Sequence, residues 1–69
     1  MLVHSIGIAV RARRRALKLT QPNLADLAGI STNTLYKLER GDGNPTLDVI
    51  EKIATVLGME FTFEVKKSI

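Results

Sequence analysis

Only Gly29 and Ile30 stand between a segment built to end a helix and a residue built to start the next one. The surrounding stretch, TQPNLADLAGISTNTLYKLERG, runs from Thr20 to Gly41. Thr20 can act as an N-cap, and Pro22 falls in the first turn, where its missing N–H is an orphan donor anyway. Leu24, Leu27 and Ala28 follow as an apolar stripe, and Gly29 sits where a left-handed residue ends a helix at little cost. Ser31 then caps a further helix, from about Thr32 to Arg40, with Leu35 and Leu38 inward and Gly41 as its stop. Two helices joined this closely must cross at a steep angle. Ala25 has to be small because the second helix passes close by, while Ile30, Leu35 and Leu38 pin that helix to the core.

The rest of the chain supplies the core on which this pair rests. Ser5 to about Lys18 reads as a first helix, capped by Ser5, with Ile6, Val10 and Leu17 on one side and Gly7 weakening its first turn. After the turn-rich GDGNP loop, Pro45 and Thr46 open a fourth helix, TLDVIEKIATVL. Its stripe of Leu47, Ile50, Ala54 and Leu57 is widened by Val49, Ile53 and Val56, so it is expected to be covered on two sides. Asp48 and Glu51 near its start suit the helix dipole, and Gly58 ends it. Two short helices joined by a tight glycine turn have the geometry of a helix-turn-helix, whose second helix enters the major groove.

The last twelve residues, GMEFTFEVKKSI, break the helical pattern. Met59, Phe61, Phe63 and Val65 alternate with Glu60, Thr62 and Glu64, the two-residue period of a half-buried β-strand. A lone strand has no partner for its backbone groups, and the expected partner is a second copy, paired antiparallel across a two-fold axis. The ribbon's apolar face would lie on the fourth helix, because an isolated two-stranded ribbon is marginal in water. Centring it on Phe63 opposes Glu60 with Lys66 and Phe61 with Val65, whereas centring on Thr62 sets Glu60 against Glu64.

Size and charge point the same way. A domain of 69 residues is close to the lower limit for a self-sufficient core. With no cysteine and a single His4, disulfides and metal sites offer no support, which leaves oligomerisation. Residues 1–25 carry Arg11, Arg13, Arg14, Arg15 and Lys18 and no acid; the remainder carries five cations against seven acids. A basic first third suits an anionic partner, most often nucleic acid, although a solvated helix face accounts for such charge equally well. The apolar N-terminus has its charges after the apolar part, the reverse of a signal peptide, and no run reaches membrane-spanning length; a cytoplasmic location is expected. No nucleophile–base set or phosphate-binding glycine loop is present, since GDG follows a helix, so catalysis is not expected.

The segment LTQPNLADLAGISTNTLYKLERGDGNPTLDVIEKIATVLG resembles the lambda-repressor and Cro-like helix-turn-helix family, also called the xenobiotic response element family. The likeness spans about residues 6–58 through the linked elements LTQ, LA, AGIS, ERG, NPTL and LG. Pro22 departs from the acidic residue usual after the glutamine and removes one phosphate-facing N–H. With its terminal strand, the chain looks closest to HipB-like antitoxins. The resemblance implies a mainly α fold: a four- or five-helix DNA-binding domain over 1–58, and a dimerisation strand and tail over 59–69. It implies base contacts from Thr32, Asn33 and Lys37, and the chemistry suits them: Asn pairs with adenine, Lys with guanine, and a Thr methyl packs on thymine. Thr34 and Tyr36 are further candidates, Tyr36 either touching a phosphate or merely covering the helix. Gln21 and Asn23, at a helix N-terminus, are expected on phosphates, with Lys18, Arg40 and Asn44 bordering the same face. Arg11, Arg13 and Arg15 are either solvated or DNA-facing, whereas Arg14 is expected to pair with Glu39 and tie the first helix to the recognition helix. The implied partners are double-stranded DNA, a second copy and a HipA-like kinase toxin, with no cofactor and no membrane. A stand-alone repressor is the alternative. So is a protein-interaction module, though the acidic or apolar residues it would carry at positions 32, 33 and 37 are absent.

Overall fold

Three hydroxyl side chains start three of the four helices. In the computed structural model, which describes residues 2–66, the order is α1 (Leu2–Ala16), α2 (Gln21–Ala28), α3 (Thr32–Glu39) and α4 (Leu47–Leu57). Thr20, Ser31 and Thr46 each accept a hydrogen bond from the backbone N–H three residues on, at 3.2, 3.0 and 3.2 Å. Each hydroxyl satisfies a donor that has no intrahelical partner, a contribution of about 1 kcal/mol.

The first helix departs from expectation at both ends. It begins at Leu2, so Ser5 lies inside it rather than capping it. Val3, packed against the core, carries the apolar stripe back toward the N-terminus. It ends at Ala16, where Lys18 adopts a left-handed conformation (φ 58°) and the Leu19 N–H closes back on the Arg14 carbonyl at 3.0 Å. Gly7 has a positive use in this helix. A Cβ there would run into the Leu38 carbonyl oxygen, so glycine sets how closely α1 crosses the end of α3.

Val10, Leu24, Ala25, Ala28, Leu35, Leu38, Ile53 and Leu57 form one buried cluster to which all four helices contribute. Leu24, Leu35, Leu38, Ile53 and Leu57 are essentially inaccessible, each stabilising the fold by roughly 1.5–3 kcal/mol. Three leucines expected inside are outside. Leu27 is exposed because Leu24, Ala25 and Ala28 turn inward and swing it away. In α4 the buried line runs Ile50, Ile53, Leu57, with Val49 and Val56 half-buried beside it, which leaves Leu47 in solvent. Leu17 follows the end of α1 and is also exposed.

No strand and no fifth helix occur among the described residues. The expected strand over Met59–Val65 is an irregular segment in the single chain, for a physical reason: four helices offer no edge with which its backbone could form a ladder. The Met59 N–H still bonds the Ala54 carbonyl at 2.9 Å, finishing the cap of α4. Exposure then climbs from half-buried Met59 through Phe61 (38%) to Phe63 (85%) and Val65 (96%). The two phenyl rings meet edge-on, centroids 5.9 Å apart. Residues 67–69 of the expected tail lie outside the described residues. Among those described, no helix is long and apolar enough to cross a membrane, and no group of side chains could hold a metal ion.

Candidate nucleic-acid interface

The turn between α2 and α3 is closed by backbone hydrogen bonds, with Ile30 packed against the core. Gly29 takes φ 70°, a conformation that costs an L-residue with a side chain about 1 kcal/mol, and its N–H and that of Ile30 return to the Asp26 and Ala25 carbonyls at 3.1 and 3.0 Å. Ser31 restarts the chain as a helix one residue later. The eight residues of α3 then divide by face. Leu35, Leu38 and Glu39 are buried, while Thr32, Asn33, Tyr36 and Lys37 are exposed, with Arg40 following at the helix end. At 3.6 residues per turn, positions 33, 36, 37 and 40 fall within one sector of about 100°.

What each side chain does on that sector differs. The side chains of Thr32, Asn33 and Lys37 make no hydrogen bond or ion pair with any described residue, so their polar groups are available to a ligand. Thr34 is half-buried, and its hydroxyl is 2.8 Å from that of Ser31, inside the cap. Tyr36 supports Arg40: its hydroxyl accepts from Arg40 Nη1 at 2.8 Å, and the guanidinium lies 5.4 Å from the ring centroid. Arg40 also reaches Asp42 at 3.4 Å, an exposed pair worth little by itself. The i, i+4 spacing of Tyr36 and Arg40 was a readable signal for this contact.

The flanking candidates divide in the same way. Asn23 is turned into the N-cap, its Oδ1 accepting from the Thr20 hydroxyl at 2.7 Å, which leaves its Nδ2 without a hydrogen bond to a described residue. Gln21 is half-buried and donates to Glu39 Oε1 at 3.1 Å. Lys18 is exposed on the left-handed turn that ends α1, and Asn44 is exposed in the loop before α4.

Beneath this surface Arg14 Nε and Nη2 donate to the two Glu39 oxygens at 2.7 and 2.9 Å, and Nη1 donates to the Leu19 carbonyl at 2.8 Å. Both residues are buried. Burial alone would push the Glu39 carboxyl up; the hydrogen bonds from Arg14 and Gln21, aided by the charges of Arg14 and Arg11, outweigh it and hold the group below the ordinary carboxylate range. The hydrogen bond to Glu39 raises Arg14 in turn, against the opposing effect of burial. The cluster joins α1, the start of α2 and the end of α3, so the outward sector of α3 is fixed against the rest of the molecule.

Arg13, expected to be either solvated or DNA-facing, has a structural role instead. Its Nε donates to the Leu57 carbonyl at 3.0 Å, capping the C-terminal end of α4 from 44 residues away. Nothing local in the sequence announces such a contact; the only clue is that helix ends need donors for their last carbonyls.

Residues 10–63 match the family described as Helix-turn-helix. The chain is 38% identical over 56 residues to the immunity repressor protein of Bacillus phage phi105, covering 81% of this chain and 39% of that protein. It therefore spans about two fifths of the length of that relative. An uncharacterized HTH-type transcriptional regulator of Methanothermobacter thermautotrophicus is 39% identical over 51 residues, 74% of each chain. Among solved structures, the restriction-modification controller protein C.AhdI from Aeromonas hydrophila superimposes with a TM-score of 0.79 at 36% identity, over 84% of this chain and 88% of that one. The matched span takes in both capped helices, the glycine turn and the Arg14–Glu39 cluster, and the chain belongs to this helix-turn-helix family.

Proposed function

We propose that the chain is a sequence-specific DNA-binding transcriptional repressor that reads the major groove with α3. The observation that carries this reading is the division of α3: one face is locked by Leu35, Leu38 and Glu39, while the other presents the side chains of Asn33 and Lys37 without partners among the described residues. Such a helix holds base-reading side chains in fixed register without using them for folding. Thr32, Asn33 and Lys37 are assigned to bases, with Thr34 and Tyr36 as neighbours that shape the contact. Gln21, Asn23, Lys18, Arg40 and Asn44 are assigned to phosphates. The relatives named as a phage immunity repressor and a transcriptional regulator support the same function.

Residues 1–58 read DNA in this proposal, and the segment after Gly58 joins two copies. Its support is the rising exposure of Phe61, Phe63 and Val65, apolar surface that a second copy would cover by strand pairing centred on Phe63. A two-fold dimer places its recognition helices about 34 Å apart and calls for a palindromic operator in the cytoplasm. The finer role as antitoxin to a HipA-like toxin rests on this segment and the family resemblance alone. Autonomous repression ranks above it, since the relatives described above are named as regulators and repressors.

Selecting duplexes from a random pool tests the proposal directly. Asn33→Ala should weaken binding to the selected sequence by about 5- to 150-fold while leaving random DNA nearly unaffected. A wild-type protein showing no preference among duplexes would sink it. Phe63→Ser should shift the sedimenting species toward monomer, and co-purification with the product of an adjoining reading frame decides the antitoxin role.

A further inference from the structure

The helix-1 arginines are not equivalent, and their separation defines a second site. Arg13 caps α4 and Arg14 is consumed by Glu39. Arg11 and Arg15 instead line a cleft of about 370 Å³ between α1 and α3, completed by Gln21, Tyr36 and Arg40. The side chains of Arg11 and Arg15 make no hydrogen bond or ion pair with a described residue, and Arg11 acts on Glu39 through its charge alone. The acid among the lining residues, Glu39, is held by the two hydrogen bonds from Arg14 and feels Arg11 only through space, so three further guanidinium groups, Arg11, Arg15 and Arg40, exceed the acid there apart from the loose Arg40–Asp42 pair. Arg11 and Arg15 also sit one turn apart on α1, where like charges repel in the free protein. Favourable placement near the C-terminal end of α1 accounts for Arg15 but not for Arg11.

We infer that this cleft is an anion site for one DNA phosphodiester at the edge of the groove, with Arg11 and Arg15 as its two uncommitted cationic ligands. It rests on the DNA-binding reading, because the cleft shares Tyr36 and Arg40 with the outward sector of α3 and Gln21 with the start of α2. A duplex engaged by α3 passes its backbone over these three residues. Arg40, held by the Tyr36 hydroxyl, lines the cleft from the end of α3, and Arg11 and Arg15 line it from α1. The site carries affinity and not sequence preference, since a phosphate is the same in every step.

The probe is a short random-sequence duplex titrated over a sodium chloride series. Arg11→Gln and Arg15→Gln should each lower the magnitude of the log K against log salt slope by about 0.9. The affinity gap to wild type then widens roughly eightfold for each tenfold fall in salt. Lys52→Gln, on the exposed side of α4, removes one charge away from the cleft and should run parallel to wild type. Arg11→Lys should restore the slope, and the thermal midpoints of the Arg11 variants should stay within error of wild type. Unchanged slopes in both glutamine variants, or an equal fall in Lys52→Gln, overturn the inference while leaving DNA binding intact. Wild-type protein that binds no duplex overturns both. Inorganic phosphate provides the second arm: saturable binding that Arg11→Gln abolishes, beside unchanged DNA slopes, assigns the cleft to a free anion and also overturns the inference.

Discussion

Replacing Arg14 with alanine should strongly destabilise this protein, although Arg14 lies in the middle of a basic cluster. The guanidinium makes three hydrogen bonds, two to Glu39 and one to the Leu19 carbonyl, with the Arg14 and Glu39 side chains only 11% and 3% exposed. Removing one member of a buried pair costs about 3–5 kcal/mol, because the other charge is left in a poorly solvating site. Gln21 still donates to one Glu39 oxygen, so the lower end, about 3 kcal/mol, is expected at neutral pH. A domain of this length is stable by roughly 3–10 kcal/mol in total. The thermal midpoint should fall by about 12–24 °C. With a urea slope of about 1 kcal/mol per molar, the urea midpoint should fall by about 3 M.

The sign of the pH dependence separates this account from a merely electrostatic one. In the wild type the Glu39 pKa is lowered, so its stabilisation is present above the unfolded-state value, about 4.3, and is lost as pH falls through the folded value. In Arg14→Ala burial acts with less opposition and the carboxyl moves up. Its penalty is then full above the raised pKa and fades as pH falls toward the unfolded value. The stability gap between the two proteins should therefore narrow between pH 7 and pH 4, followed by circular dichroism in urea. A gap below about 1 kcal/mol at pH 7, together with a large loss of DNA affinity, would refute the reasoning and make Arg14 a DNA contact.

Three further substitutions probe separate features. Gly7→Ala should destabilise by roughly 1–3 kcal/mol despite alanine's better helix propensity, because its methyl meets the Leu38 carbonyl; a raised thermal midpoint would contradict the packing described. Arg13→Gln should cost about 1 kcal/mol and raise amide exchange in the last turn of α4, with DNA affinity changed only by the loss of distant charge. Lys18→Gly should stabilise by about 0.5–1 kcal/mol in chemical denaturation, since φ 58° is costly for lysine, while weakening DNA binding if Lys18 meets a phosphate.

Much of this architecture was legible because it is local. Thr20, Ser31 and Thr46 declare helix starts through their own side chains, and Gly29 and Gly58 declare ends, so three helices are found within a residue or two. The expected start of the first helix differs from the observed one because that start has no capping residue among those described and because Ser5, a good cap, sits at the end of its first turn. The exposed Leu17, Leu27 and Leu47 show the limit of apolar periodicity: several rotations of a stripe fit the same letters, and packing against neighbouring helices chooses among them. On the site, the outward positions of α3 follow from helical spacing once Leu35 and Leu38 are placed inward. The roles of Arg11, Arg13 and Arg15 do not follow, since four arginines within five positions differ only in what lies opposite them. The alternating run from Met59 to Val65 states a preference for pairing that a single chain has no means to satisfy.

The unshared labour on α3 has an evolutionary reading. The side chains of Thr32, Asn33 and Lys37 make no bond with a described residue, while those of Leu35, Leu38 and Glu39 are buried and attach the helix. Selection can therefore rewrite these proposed reading positions one by one without first accumulating compensating stability elsewhere. A lineage of such proteins could diverge to new operators through changes at three surface letters, each intermediate folding as well as its parent. A library randomised at 32, 33 and 37 should consist overwhelmingly of folded proteins with different tastes in DNA.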